Sequence, residues 1–175
     1  MQGEEAVARI MRARSIAVVG ASSHPEKWSY KTLESIVNGG YDGKIYPINP
    51  KGGEILGLPV YRTIGEVPGD LDLVTVIVPV EAVPDTRRQA AAKGVRAVVV
   101  TTAGYREGGH YKREAELKQL AAGLGLRVLG PNLQGFIYTP NQLSAMFWPT
   151  VRMAGAGSTR TSSRSTPWNG SWGCG

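Results

Sequence analysis

Residues 15–20 read Ser-Ile-Ala-Val-Val-Gly, and Ala21-Ser22-Ser23 follow. Apolar residues in unbroken sequence, rather than in alternation, predict a strand buried on both faces, and the glycine ends it. After a loop over Ala21–Trp28, Tyr30, Leu33, Ile36 and Val37 recur at helical spacing. Ser29 is the expected N-cap of that helix and Gly39-Gly40 its stop. Further along, Lys44–Ile48 and Leu71–Val78 read as strands stopped by Asn49-Pro50 and by Pro79. Asp85–Lys93 reads as a short helix, acidic at its start and ended by Gly94. Val95–Val100 is a fourth strand, and Arg127–Leu129 a short last one. Between them Lys112–Leu124 is a helix with apolar Ala115, Leu117, Leu120, Ala121 and Leu124, and with a favourable Glu114–Lys118 pair. A short helix over Glu4–Arg12 precedes them all. Strands alternating with helices, several of them apolar on both faces, call for a parallel sheet covered on both sides. Right-handed crossovers make it a Rossmann-like doubly wound α/β domain.

The chain has 175 residues, of which 42% are hydrophobic, so it is long enough for one packed domain with some spare chain. A single cysteine, Cys174, excludes a disulfide scaffold and a Cys-rich zinc site. The longest apolar stretch, Leu73–Val80, is far short of the ~20 residues a membrane span needs. Glu4 and Glu5 with no long apolar run behind them do not make a secretory signal, so a cytoplasmic protein without a membrane partner is expected. The net charge of +6 raises nucleic acid as a partner. Residues 151–175 carry Arg152, Arg160 and Arg164 and no acid, which leaves 17 basic against 14 acidic groups in the body. That weak field, without a basic stripe interleaved with aromatics, speaks against nucleic acid.

In a parallel sheet the strand C-termini share one edge, and ligands bind there. The loops on that edge are Gly20-Ala21-Ser22-Ser23, Asn49-Pro50-Lys51, Val78-Pro79-Val80, Thr101-Thr102-Ala103-Gly104 and Gly130-Pro131-Asn132. Small and neutral polar residues dominate, which suits a flat nucleotide with a long, mostly neutral arm. The first loop offers backbone N–H groups from Ala21 onward, with the following helix dipole, to a phosphate, and Gly20 permits close approach. It is not the G-x-G-x-x-G of dinucleotide enzymes, because Ser22 and Pro25 interrupt it. A dinucleotide enzyme usually places an acid at the end of its second strand to hold ribose hydroxyls. Here that place holds Asn49, Pro50 and Lys51, and a cation there attracts a phosphate on the adenosine ribose, as NADP and coenzyme A both carry.

Lys31, in the first turn of the helix, is a second phosphate candidate or a plain surface lysine. His24 and His110 have no partner at metal-ligand spacing, so no metal is expected. Ser22 lacks His and Asp partners for a hydrolase, Cys174 reads as incidental, and Glu107 is either functional or a loop acid.

Six stretches resemble a known family. They are IAVVGASS (16–23), GYDGKIYPINPK (40–51), residues 57–61, DLDLVTVIVP (70–79), AGYRE (103–107) and RVLGPN (127–132). Together they are similar to the N-terminal CoA-binding domain of NDP-forming acyl-CoA synthetases, the group of ADP-forming acetyl-CoA synthetase and the succinyl-CoA synthetase alpha subunit. Gly135–Pro149, with Tyr138-Thr139-Pro140, resembles the acetyl-CoA type. The resemblance implies that Gly20–Ser23 hold the CoA phosphates and that Lys51, beside Pro50, faces the 3′-phosphate. It further implies that Val78 and Pro79 line the adenine or pantetheine path and that Thr102, Ala103, Gly104 and Asn132 lie near the thiol. Glu107 matches the family's acid beside the acyl-phosphate and phosphohistidine chemistry.

Two departures matter. Leu133 stands where relatives often carry Cys. After Pro149, where relatives continue into a phosphohistidine domain, the chain turns to Ser, Thr, Arg and Gly, and residues 154–175 contain no Leu, Ile or Val. Residues 1–149 are therefore expected to form the domain, and 150–175 an irregular tail, out of frame or truncated. The expected function is CoA binding as part of an ADP-forming acyl-CoA synthetase, inactive alone. ATP, ADP and Mg would enter only through an ATP-grasp domain or beta subunit. An uncovered face would favour self-association. The alternatives are a stand-alone CoA- or acyl-CoA-binding regulatory module and an NADP-dependent oxidoreductase.

Overall fold

The computed structural model describes residues 7–147 other than residue 9. The expectations for residues 150–175, Cys174 among them, lie outside the described residues. Five parallel strands form one sheet: β1 (Ser15–Val19), β2 (Lys44–Ile48), β5 (Leu73–Val76), β6 (Ala97–Val100) and β7 (Arg127–Leu129), in the order β2-β1-β5-β6-β7. β1 is buried along its whole length. Ile16 and Val18 face one apolar layer with Leu33, Ile36 and Val99, while Ala17 and Val19 face the other with Val74, Val98 and Ile64. Both faces are therefore covered, as unbroken apolar strands require.

Helix α1 (Trp28–Asn38) packs on the first layer, with Leu33 and Ile36 fully buried. Helices α2 (Val83–Ala92) and α3 (Tyr111–Gly123) lie on the second, through Val83, Ala90 and Leu117. Ile10 and Ala13, from the chain before β1, complete the first layer. Strand starts are locked too: Asp72 Oδ2 accepts from the amides of Arg14 (2.9 Å) and Ser15 (3.1 Å). No helix among the described residues is long and apolar enough to cross a membrane.

Local boundaries differ from expectation for physical reasons. Ser29 is not the N-cap of α1. The Lys27 amide donates to the His24 carbonyl (3.0 Å), and this turn delivers Lys27 to the cap position with no side-chain bond, leaving Ser29 buried in the first turn. Helix α2 begins at Val83 rather than Asp85, because Pro84 is preset for a first helical turn. β5 is shorter than Leu71–Val78, since Asp72 caps β1 and Pro79 cannot donate. Two small antiparallel hairpins carried no periodic signal: β3 (Glu54–Ile55) with β4 (Leu58–Pro59), and β8 (Ile137–Tyr138) with β9 (Leu143–Ser144).

Strand registers level the ends. Val19 lies opposite Ile48 on one side and Val76 on the other, and Val76 lies opposite Val100. The order in which β1 leaves for β2 on one side and returns through β5 on the other makes a topological switch point between β1 and β5. Gly20 sits there with φ +90°, and a Cβ on it would meet the Ile77 carbonyl oxygen at 2.1 Å. Gly94 also has a positive φ, +86°, but open space around it. Gly20→Ala should therefore lose about 3 kcal/mol or more, and Gly94→Ala only about 1 kcal/mol. Urea unfolding of the two variants checks this; equal losses would show that the backbone wedge is absent.

Candidate functional site

Three of the five loops enclose a cleft of about 590 Å³ at the switch point. Gly20, Ala21, Ser22 and Ser23 form one wall, Asn49, Pro50 and Lys51 a second, and Val78 and Pro79 a third. Every sequence-derived candidate in those loops lines this one space.

Asn49 is the joint between the first two walls. Its Nδ2 donates to the Ala21 carbonyl (2.8 Å), and its Oδ1 accepts the Lys51 amide (2.9 Å). Both ends of the side chain are thus committed to shape. The first loop has fewer open amides than expected. Gly20 and Ala21 both donate to the Ile48 carbonyl, at 3.0 and 3.1 Å, and Ser22 Oγ accepts the His24 amide (3.1 Å). The amides of Ser22 and Ser23 have no partner among the described residues. The first turn of α1, without a side-chain cap, adds further donors beside them through Ser29.

Sequence reasoning missed Lys27, which lines the cleft beside the helix start and gives it a second cation with Lys51. Its signal was available: a lysine immediately before the first periodic residue of a helix. It also missed Glu54 and Ile55, because the short hairpin carrying them could not be read from periodicity. Lys31 does not line the cleft; its Nζ lies 4.8 Å from the centre of the Trp28 ring, which meets Phe147 in a tilted contact with centroids 4.8 Å apart.

The remaining candidates continue along the same rim outside this cleft. Thr102 Oγ1 donates to the Val78 carbonyl (2.8 Å), and the Asn132 amide donates to the Thr102 carbonyl (3.0 Å). These two bonds tie the loops after β5, β6 and β7 into one edge. Gly104 takes φ +102° beside Val80, and Ala103 precedes it in the exposed part of the turn. Glu107 folds back: its Oε1 accepts the amides of Gly104 and Tyr105. Those hydrogen bonds, Tyr105 first, hold its carboxyl below the usual carboxylate range.

The site sits at the carboxyl edge of a β2-β1-β5-β6-β7 sheet, with two cations, open amides at a helix start and no acid directly after β2. Comparison with known proteins agrees with that geometry. The family model for the CoA binding domain matches residues 14–139. The chain belongs to the CoA-binding domain family. This CoA-binding domain is 38% identical over 152 residues to the alpha subunit of acetate–CoA ligase [ADP-forming] I of Pyrococcus furiosus, covering 83% of the chain and 33% of the relative. It is 37% identical over 134 residues to acetate–CoA ligase [ADP-forming] of Methanocaldococcus jannaschii, covering 77% and 19%. Among solved structures, the dinucleotide-forming acetyl-coenzyme A synthetase 1 of Ca. Korarchaeum cryptofilum, with phosphate and ADP, superposes with a TM-score of 0.79 at 38% identity. That match covers 82% of this chain and 31% of the other. The chain therefore spans a third or less of the length of these synthetases. A hypothetical protein from Pyrococcus horikoshii matches with a TM-score of 0.59 at 29% identity, over 75% of this chain and 85% of that one.

The Glu107 bonds give a pH test. The bonded form is the ionised carboxylate, so its contribution is complete above the unfolded value, about 4.3. It fades as pH falls through the lower folded value. Hydrogen exchange at the Gly104 and Tyr105 amides should stay slow at pH 5 and accelerate, relative to neighbouring amides, only at more acidic pH. Glu107→Ala should show fast exchange throughout; unchanged protection in that variant would break the assignment.

Proposed function

We propose that the cleft binds coenzyme A, and that the domain serves as the CoA cradle of an ADP-forming acyl-CoA synthetase. The observation that carries this reading is the pairing of Lys51 with the open amides of Ser22 and Ser23 across one cleft. The amides and the α1 start suit the diphosphate, since unsatisfied N–H groups and the helix dipole both favour an anion. Lys51, in the loop after β2, suits the ribose 3′-phosphate, and Lys27, lining the same cleft beside the α1 start, adds positive potential. Ile77, Val78 and Pro79 give an apolar wall for adenine or the pantetheine arm. The arm then runs along the rim toward Thr102, Ala103, Gly104 and Asn132, placing the thiol near the Glu107 loop.

In this reading the chain binds and orients CoA, and ATP, ADP, Mg and phosphoryl transfer are handled elsewhere, in an ATP-grasp domain or subunit. The overall reaction would be acyl-CoA + ADP + phosphate ⇌ acid + CoA + ATP. A second reading, a stand-alone module that senses CoA or acyl-CoA, is favoured by one observation. The Pyrococcus horikoshii chain is nearly all domain, which shows that this fold also occurs without long extensions.

Calorimetry with CoA, 3′-dephospho-CoA, NADP and ATP in parallel tests the proposal. At low salt CoA should bind about tenfold more tightly than 3′-dephospho-CoA, the range of a solvent-exposed charge-assisted bond. Lys51→Ala should remove most of that ratio and leave 3′-dephospho-CoA unaffected. An unchanged ratio would displace the 3′-phosphate from Lys51, and NADP binding more tightly than CoA would replace the reading itself.

A further inference from the structure

The coenzyme cleft holds one charged group that phosphate binding does not use. Among the described residues lining the cleft, Glu54 is the only acid. Its side chain is exposed, so a ligand can reach it. Its carboxylate has no hydrogen bond or ion pair among the described residues, although Lys27 and Lys51 line the same space. An unpaired acid in a cleft built for phosphates weakens the hold on every anion bound there. A carboxylate accepts hydrogen bonds and donates none, so the ligand group that suits it is a hydroxyl or an amino group.

The wall that carries Glu54 is braced. Asn49 Oδ1 accepts the Lys51 amide (2.9 Å), the Asn49 carbonyl accepts the Gly52 amide (2.9 Å), and the Gly53 carbonyl accepts the Val60 amide (2.9 Å). Glu54 then pairs with Pro59 in the β3–β4 hairpin, and buried Ile55 pins that hairpin to the first apolar layer. Lys51 and Glu54 are thus a cation and an acid three residues apart on one wall. The Asn49 side chain also ties the Lys51 end of this wall to Ala21, next to the open amides of Ser22 and Ser23. Glu54 is the more remote of the two from that anchor along the chain.

A Rossmann site that takes NAD holds the ribose hydroxyls with an acid, and one that takes NADP offers a cation to the 2′-phosphate. This wall carries one group of each kind, which matches a ribose with one phosphate and one free hydroxyl. Along the sugar, C3′ is nearer the 5′-diphosphate than C2′. Lys51, tied to the diphosphate loop, therefore faces the 3′ side and Glu54 the 2′ side. We propose that Glu54 accepts a hydrogen bond from the ribose 2′-hydroxyl of the coenzyme and repels a phosphate at that position. Glu54 is then the residue that selects a 3′-phosphorylated over a 2′-phosphorylated adenosine. The proposal rests on the coenzyme reading and adds the choice of ribose position to it.

Calorimetry on the 175-residue protein at low salt tests this with CoA, the isomer of CoA that carries its ribose phosphate at 2′, and 2′-deoxy-CoA. The wild-type protein should prefer CoA to the 2′-phosphate isomer by about tenfold, and should bind 2′-deoxy-CoA more weakly than CoA. Glu54→Ala should bind the 2′-phosphate isomer more tightly than the wild type does, bring the two isomers within about threefold, and erase the loss on 2′-deoxygenation. Glu54→Gln, neutral but still an acceptor, should accept the 2′-phosphate isomer equally well yet keep part of the preference for the 2′-hydroxyl. A change of loop shape alone would not split the two effects in that way. If CoA binds and its preference over both analogues is the same in the wild type and in Glu54→Ala, the Glu54 assignment is overturned and the coenzyme reading stands. Equal wild-type affinity for all three ligands overturns the assignment without any variant. If CoA does not bind the wild-type protein, both readings fall.

Discussion

The site depends on one close approach, that of the Gly20 backbone to the Ile77 carbonyl. A side chain on residue 20 would overlap that oxygen at 2.1 Å, so β1 and β5 can end side by side only with glycine there. These strands are 53 residues apart from the end of one to the start of the other, yet their last residues, Val19 and Val76, are in register. Their level ends put Ser22 and Ser23 opposite Val78 and Pro79. The Asn49 side chain then draws in the loop after β2, through Ala21 on one side and Lys51 on the other. The cleft is thus a product of sheet geometry, completed by one amide side chain. Gly20 is accordingly needed for strand packing first, and only through it for ligand approach.

Much of this was legible because strands of this kind announce themselves. Unbroken apolar runs such as Ile16–Val19 and Val98–Val100 fix a parallel, doubly covered sheet, and a parallel sheet fixes which loops share an edge. That logic alone put Asn49, Lys51, Val78 and Pro79 on one rim, and all four line one cleft. The hairpins at 54–59 and 137–144 were not, because two-residue strands have no periodicity to read. Whether Lys31 lines the cleft could not be read from its place in a helix turn, because that depends on which way the side chain runs; it lies over the Trp28 ring, outside the cleft. The Ala21 amide looked open in sequence and is closed in the fold, since only the neighbouring strand reveals the Ile48 carbonyl that takes it.

Arg87 shows a different limit. In sequence it is one of two adjacent arginines in a short helix. In the fold Arg87 is fully buried and Arg88 lines a separate cavity beside Val80 and Tyr105. Charge on a helix is usually solvated, so no sequence pattern would single out the buried one. The cleft lysines and Arg87 therefore differ in kind. Lys27 and Lys51 sit on an open rim, where water screens them and salt weakens them. Arg87 is buried between α2 and α3, where an unmet hydrogen bond is expensive and its Nη1 is held by the Leu117 carbonyl.

The central claim is that the loops after β1, β2 and β5 act together on one coenzyme. Amide chemical-shift mapping with unlabelled CoA tests it most directly. The account predicts that the shifts concentrate at Ser22, Ser23, Ser29, Lys51 and Val78, on one rim. Shifts concentrated on α3 and β7 instead, with that rim silent, would contradict it.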